Sequence, residues 1–202
     1  YFMARLIEYL LSTGALKPPR RLLGLTFTNA AAEEMRQRVA SQIHHKKLDT
    51  VDLMTIHSFC YQVLCAYGEY IELKQDFSII TEFEKKPLLA SIASSIVPDW
   101  DKKLDNYDKW VIEKLLKDND NSNAKFEIIY QQYVERMKEQ NKIDFDHILV
   151  LTHKLFSENR NVLELYRSVY SHILVDEFQD TNPLQFKIVS LLVEGFSDFG
   201  MT

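Results

Sequence analysis

The residues best able to do chemistry fall in one string, Asp176-Glu177-Phe178-Gln179-Asp180-Thr181-Asn182. It follows Ile173-Leu174-Val175, a short apolar and β-branched run that predicts a fully buried strand. In an open parallel sheet, ligands sit beyond the carboxyl ends of the strands. Acids placed there cost folding energy unless they meet a cation or a polar partner. A strand that hands two carboxylates to such an edge suits a site that holds Mg²⁺ and orients a water beside a phosphate. Asp-Glu after an apolar run also describes an ordinary exposed acidic turn. The longer string is what raises the sharper reading above that one.

Two more stretches carry polar groups where a strand gives way to a helix. They are Leu25-Thr-Phe-Thr-Asn-Ala-Ala-Ala-Glu-Glu-Met35 and Thr55-Ile-His-Ser-Phe59. Hydroxyls, amides and helix N–H groups at strand ends bind phosphates with little net charge. Phe27 and Phe59 are core aromatics by default, though either ring offers a face on which a base can stack. His57 taken alone fits a cap or core histidine; its neighbours turn the expectation toward a phosphate. Cys60 and Cys65 read as packing residues, and Trp100 and Trp110 as packing for helices. His44-His45-Lys46-Lys47 reads as a solvated helix end.

The elements that must position these groups follow from periodicity. Tyr1 to Ser12 predicts a helix with Phe2, Leu6, Tyr9 and Leu10 on one face. Thr13-Gly14 and Pro18-Pro19 stop it. Arg21 to Phe27 is a strand candidate, followed by a helix from about Ala30 to His44 that Thr28 or Asn29 can cap. Ala32, Met35, Val39 and Ile43 form its buried stripe. Val51 to Ile56 is a second strand, and Thr55 or Ser58 caps a helix that buries Phe59, Val63, Leu64 and Tyr67. Phe77 to Ile80 gives a weak strand signal. This order predicts an α/β domain with a parallel sheet. From Glu84 to about Gln140 no buried strand is legible. Helices are expected near 87–97, 107–116 and 125–139, with loops at Pro98-Asp-Trp-Asp and at Lys117–Ala124. Helices at 145–157 and 162–169 return the chain to the strand before Asp176, and Pro183 opens a closing helix.

Bulk properties exclude some classes. The chain has 202 residues, 46% hydrophobic and 26% charged, enough to bury a sizeable core. Net charge is −5, so nucleic-acid binding through a globally basic surface is excluded. Two cysteines are too few for a disulfide framework and no zinc spacing is present. The expectation is a reduced, cytoplasmic setting with no membrane span and no signal peptide. The five glycines form no phosphate-cradling loop.

Together the three stretches resemble motifs of the first RecA-like motor domain of the UvrD/Rep/PcrA-type superfamily 1 DNA helicases. Leu25–Met35 resembles motif Ia, Thr55–Phe59 motif Ib, and Asp176–Asn182 motif II, that family's Walker B. Ile143-Asp-Phe-Asp-His-Ile-Leu149 resembles the Asp-Phe helix that precedes motif II. The resemblance covers nearly the whole chain. It implies a RecA-like P-loop NTPase sheet flanked by helices, with an all-helical insertion: residues 1–83 and 142–202 would form the RecA-like domain, and 84–141 the inserted subdomain. It implies ATP and Mg²⁺ as cofactors, with Asp176 on the metal and Glu177 as general base. Gln179, beside these two on the nucleotide, and Asp180 would couple that site to the DNA groove. Thr26, Phe27, Thr28, Asn29, Thr55, His57 and Ser58 would line the single-strand path. The implied partners are single-stranded DNA, duplex/single-strand junctions and a second RecA-like domain of the same protein, and the implied roles include DNA repair.

There are departures. Ala30 stands where the family usually has Lys. The Walker A loop is absent, and Arg5-Leu-Ile-Glu-Tyr-Leu10 fits the helix that follows it. The expectation is therefore a piece of a longer 3′-to-5′ helicase or translocase, inactive by itself. The alternatives are a non-catalytic single-strand binding or interaction module and the helicase half of a helicase–nuclease.

Overall fold

The structure, a computed structural model, describes residues 2–42, 49–117 and 123–194. Three strands make the central sheet: β1 (Arg21–Thr26), β2 (Val51–Thr55) and β5 (Tyr170–Val175). They are all parallel, in the order β2-β1-β5. Helices α1 (Phe2–Ser12) and α2 (Asn29–Gln42) cover one face. Helices α3 (Ile56–Tyr67), α7 (Phe145–Glu158), α8 (Arg160–Val169) and α9 (Pro183–Val193) cover the other.

Period-2 alternation in β1 assigns the faces. Leu22 joins Met3, Ile7, Met35 and Val39 on the α1–α2 side, whereas Leu23 and Leu25 join Phe59, Ile148 and Ile188 on the other. Gly24 lies under Leu53 of β2, its partner in the ladder, and a Cβ there would collide with the Leu53 side chain. At the amino end of the sheet, Arg21 donates from Nε and Nη2 to the two carboxylate oxygens of Asp52, each at 2.6 Å. The Tyr170 hydroxyl donates to the same carboxylate at 3.1 Å, so one acid ties β1, β2 and β5 together.

The α/β order and the parallel sheet agree with the sequence reading, and several local expectations are corrected. Helix α1 buries Met3, Ala4, Ile7 and Leu11 rather than the expected face; Tyr9 is exposed, and Leu6 and Leu10 are only half-buried. Tyr9 keeps its hydroxyl end in water, and the stripe turns by one residue. Strand β5 is half-buried from Ser171 onward rather than fully buried, because it is an edge strand among the described residues. Thr28 caps α2: its hydroxyl accepts from the Ala31 amide at 3.1 Å. Ile43 and the His44–Lys47 stretch lie outside the described residues.

Between β2 and β5 the chain makes α4 (Glu82–Ala93), α5 (Trp100–Lys117) and α6 (Ala124–Glu139). Helix α4 starts five residues before Pro87, because Thr81 and Glu84 form a capping box upstream of it. Trp100 opens α5 instead of sitting in a loop. These helices share their own apolar cluster, in which Tyr107 meets Trp100, Trp110 and Phe126 with ring centroids 5.2–6.0 Å apart. Two short strands, β3 (Ser78–Ile79) and β4 (Lys142–Ile143), pair in parallel at the base, so the chain leaves and returns at one place.

Asp144, the N-cap of α7, fastens that base. It is 4% exposed. It accepts from the His147 amide at 2.8 Å and lies 2.6 Å from His147 Nδ1. The Tyr133 hydroxyl donates to it at 3.2 Å and Lys85 Nζ stands 3.6 Å away. Burial alone would raise this carboxyl. The hydrogen bonds and charge from His147, and the charge of Lys85, more than offset that and hold it well below the usual carboxylate range. Asp144→Ala is expected to cost about 3 kcal/mol at pH 7, read from urea denaturation, since it removes a cap and unpairs buried donors. A folded-state pKa below the unfolded one gives stability that is full above about pH 4 and is lost as pH falls further. The gap between variant and wild type therefore narrows in acid; a gap constant down to pH 2 would contradict the pairing.

Candidate functional site

Because β1, β2 and β5 run in parallel, their carboxyl ends meet at one edge of the sheet. Thr26 of β1 pairs with Thr55 of β2, and Leu25 with Val175 of β5. The Asp176 amide donates to the Leu25 carbonyl at 2.9 Å, the last bond of that ladder. The three polar stretches thus open from neighbouring positions.

Asp176 is half-buried, and no described side chain donates a hydrogen bond to its carboxylate. A free carboxylate at a strand end is the oxygen donor that Mg²⁺ takes, so the residue fits that ion. Glu177 is exposed and adopts a left-handed backbone (φ 48°, ψ 46°). For a residue with a Cβ this costs about 1 kcal/mol, and such outliers gather at functional turns. It ends the strand and starts a single 3₁₀ turn, Phe178–Asp180. The Gln179 amide donates to the Glu177 carboxylate. Asp180 is exposed, and its amide donates to the Glu177 carbonyl at 2.8 Å. Phe178 packs toward Phe186 of α9, ring centroids 5.9 Å apart, and Asn182 caps that helix reciprocally with Gln185.

The first polar stretch divides by exposure. Thr26 is fully buried, and its hydroxyl donates to the Thr28 carbonyl at 3.1 Å, so it shapes the loop rather than facing a ligand. Phe27 is half-buried against the main core, and Thr28 and Asn29 are exposed. In the second stretch Thr55 is buried and caps α3. Its Oγ1 accepts from the Ser58 amide at 3.1 Å and lies 2.8 Å from the Ser58 hydroxyl. Phe59 is core, at 2% exposure, and so is Cys60; Cys65 is half-buried.

His57 is half-buried, and its ring stacks on Phe145, the first residue of α7, at 3.9 Å and 14°. Burial pushes the imidazole down to about 4, so it is neutral at physiological pH. Any interaction with a phosphate there relies on hydrogen bonding rather than charge. Phe145 had no assigned part in the sequence reading. Its spacing of three from buried Ile148 puts it on the inner face by helical period, yet it is 55% exposed. The sequence signals for it are its place directly after the capping Asp144 and the resemblance noted for Ile143–Leu149.

A sequence profile of the UvrD/REP helicase N-terminal domain matches residues 1–201. The chain is 34% identical, over 86% of its length, to a probable DNA helicase II homolog of Mycoplasma capricolum, and covers 26% of that protein. It is 30% identical to the ATP-dependent DNA helicase PcrA of Leuconostoc citreum, over 87% of this chain and 25% of that protein. Against PcrA of Staphylococcus aureus it is 28% identical, over 95% of this chain and 28% of the other. The chain spans about a quarter of the length of these relatives. With three parallel strands between helical layers and the polar stretches at their carboxyl edge, the chain belongs to the UvrD/REP helicase family and carries the RecA-like fold of its N-terminal domain.

Proposed function

We propose that this chain is the first motor lobe of an ATP-dependent DNA helicase or translocase that moves 3′ to 5′ along single-stranded DNA. The observation that carries the reading is the register: Asp176 leaves β5 beside Leu25, and Thr26 pairs with Thr55, so a nucleotide-handling pair and two phosphate-binding loops share one edge. Asp176 holds Mg²⁺, which neutralises charge on the nucleotide phosphates when bound. Glu177 positions a water and accepts its proton, with Gln179 holding the carboxylate in place. Gln179 and Asp180, on the turn that follows, link this pair to α9 and to the strand-binding loops.

The exposed part of the DNA path is Thr28 and Asn29, with half-buried Phe27, His57 and Ser58 beside them; buried Thr26 and Thr55 set the loop shapes. The full-length protein binds ATP between this lobe and a second RecA-like domain, and acts at junctions of duplex and single strand. Residues 1–83 and 142–202 form the lobe, and 84–141 an inserted subdomain, a division supported by the separate apolar cluster of Leu89 to Met137, which Ile80 joins from just ahead of α4.

In the full-length protein, Glu177→Gln is expected to lower kcat for DNA-stimulated ATP hydrolysis by about a hundredfold or more while single-strand affinity stays the same. A variant that keeps the wild-type rate would remove Glu177 from the chemistry. The 202-residue chain contains no Gly-Lys-Thr loop to grip the β- and γ-phosphates. Purified alone, it should hydrolyse ATP at background rate. Activity that co-purifies with it and disappears in Glu177→Gln would show that the grip is not required.

A further inference from the structure

Helices α4, α5 and α6 of the insertion and the first turn of α7 enclose a cavity of about 210 Å³. One water needs only roughly 10–15 Å³ of such space. Leu89, Leu104, Val111 and Ile112 make an apolar part of its wall. Three tyrosines also line it, and two of their hydroxyls are committed. Tyr133 donates to Asp144 at 3.2 Å, and Tyr130 meets His147 at 3.0 Å. The third is not. Tyr107 is 2% exposed, and its hydroxyl has no hydrogen-bond partner among the described residues. A buried polar atom left unpaired is costly, so one beside a cavity marks a place for something else to bond it.

The cavity is also short of positive charge. Glu82, Asp108, Asp144 and Asp146 line it against two lysines, Lys85 and Lys86. Lys85 is already shared, 3.6 Å from Asp144 and 3.9 Å from Asp146. Partial burial, and then the charges of Glu82, Asp105 and Asp146, raise the Asp108 carboxyl despite Lys85. Burial, and then Asp144, raise that of Asp146. No cluster of three acids, histidines or cysteines among the described residues is placed to hold a metal ion. Separated acids beside an apolar wall call instead for positive charge carried on a short hydrocarbon chain.

We propose that this cavity binds a small organic diammonium ion. Its methylenes lie along the apolar wall. One ammonium sits at the mouth against exposed Asp108 and Glu82, and the other lies deeper and donates to the Tyr107 hydroxyl. Such a ligand joins α4 and α5 to the start of α7, and so clasps the insertion to the sheet domain. The inference does not depend on the nucleotide or DNA readings, and its test uses neither ligand.

The probe is putrescine, a four-carbon diamine, titrated calorimetrically into the full-length protein, with butylamine and Mg²⁺ as comparators. Wild type should bind putrescine saturably and at least about tenfold tighter than butylamine, and equimolar Mg²⁺ should not displace it. Tyr107→Phe, which removes only the unpaired hydroxyl, should weaken binding by about three- to tenfold. Asp108→Asn should weaken it by about fivefold or more. Asp101→Asn changes an exposed acid of the same helix outside the cavity and should leave the affinity unchanged. Absence of saturable binding, displacement by Mg²⁺, full affinity in Tyr107→Phe, or equal losses in Asp101→Asn and Asp108→Asn would each overturn the site and leave the motor reading intact. Should Tyr107→Phe fail to fold, the two exposed-acid variants decide by themselves.

Discussion

The parallel register of three strands is the constraint on which the site depends. Parallel pairing sends every strand end to one edge, and the ladder bond from the Asp176 amide to the Leu25 carbonyl fixes how far β5 reaches along β1. A slip of one residue would exchange the two faces of β5 and turn Ile173 and Val175 away from the core they share with Phe59 and Ile188. The register is therefore held by apolar packing on both faces and by the Asp52 clamp at the opposite end. The carboxyl edge is left free of such fastening. Its acids are exposed or half-exposed, and the one left-handed residue of the edge, Glu177, sits where the strand stops. The fastening and the open polar stretches lie at opposite ends of the same three strands.

The insertion poses a different problem, since three helices with their own core meet the sheet domain around the β3–β4 pair and Asp144, with α5 also approaching α9. Two-residue strands contribute little by themselves. Buried Asp144 does more. It caps α7, which packs on the sheet, and it is bonded by Tyr133 of α6 and approached by Lys85 of α4. Tyr130 of α6 reaches His147 at 3.0 Å, so α6 touches the first turn of α7 twice. Outer pairs add to the base, including Lys138 with Glu72 and Lys142 with Glu84, but these are exposed and weak.

Much of this was legible in the sequence. Apolar β-branched runs followed by polar caps gave the strand–loop–helix order, because burial and capping act over a few residues. The three polar stretches were legible for the same reason. What failed was phase and pairing. Tyr9 counts as apolar in a periodic pattern but keeps its end in water, so the α1 face was misjudged. Pro87 was read as opening its helix although the Thr81–Glu84 box begins it earlier, because proline is tolerated at a start and here lies inside. The burial of β5 was overestimated because hydrophobicity does not say whether a strand lies at an edge. Beyond the local cap from Asp144 to His147, neither the grip of Tyr133 and Lys85 on Asp144 nor the His57–Phe145 stack has any local signature. Each joins residues from separate helices, and only the assembled fold brings them together.

Asp144 and Phe145 are consecutive, and they serve different neighbours. Asp144 faces the insertion, with Lys85 and Tyr133 around it, while Phe145 lies on His57 at the carboxyl edge. Helix geometry makes this natural: an N-cap side chain folds back over its own first turn, while the first helical residue projects away from it. The consequence is mechanical. The buried hydrogen bonds that hold the insertion also fix the backbone of the residue that carries the exposed ring. The acid that secures the insertion therefore also orders a surface at the carboxyl edge of the sheet.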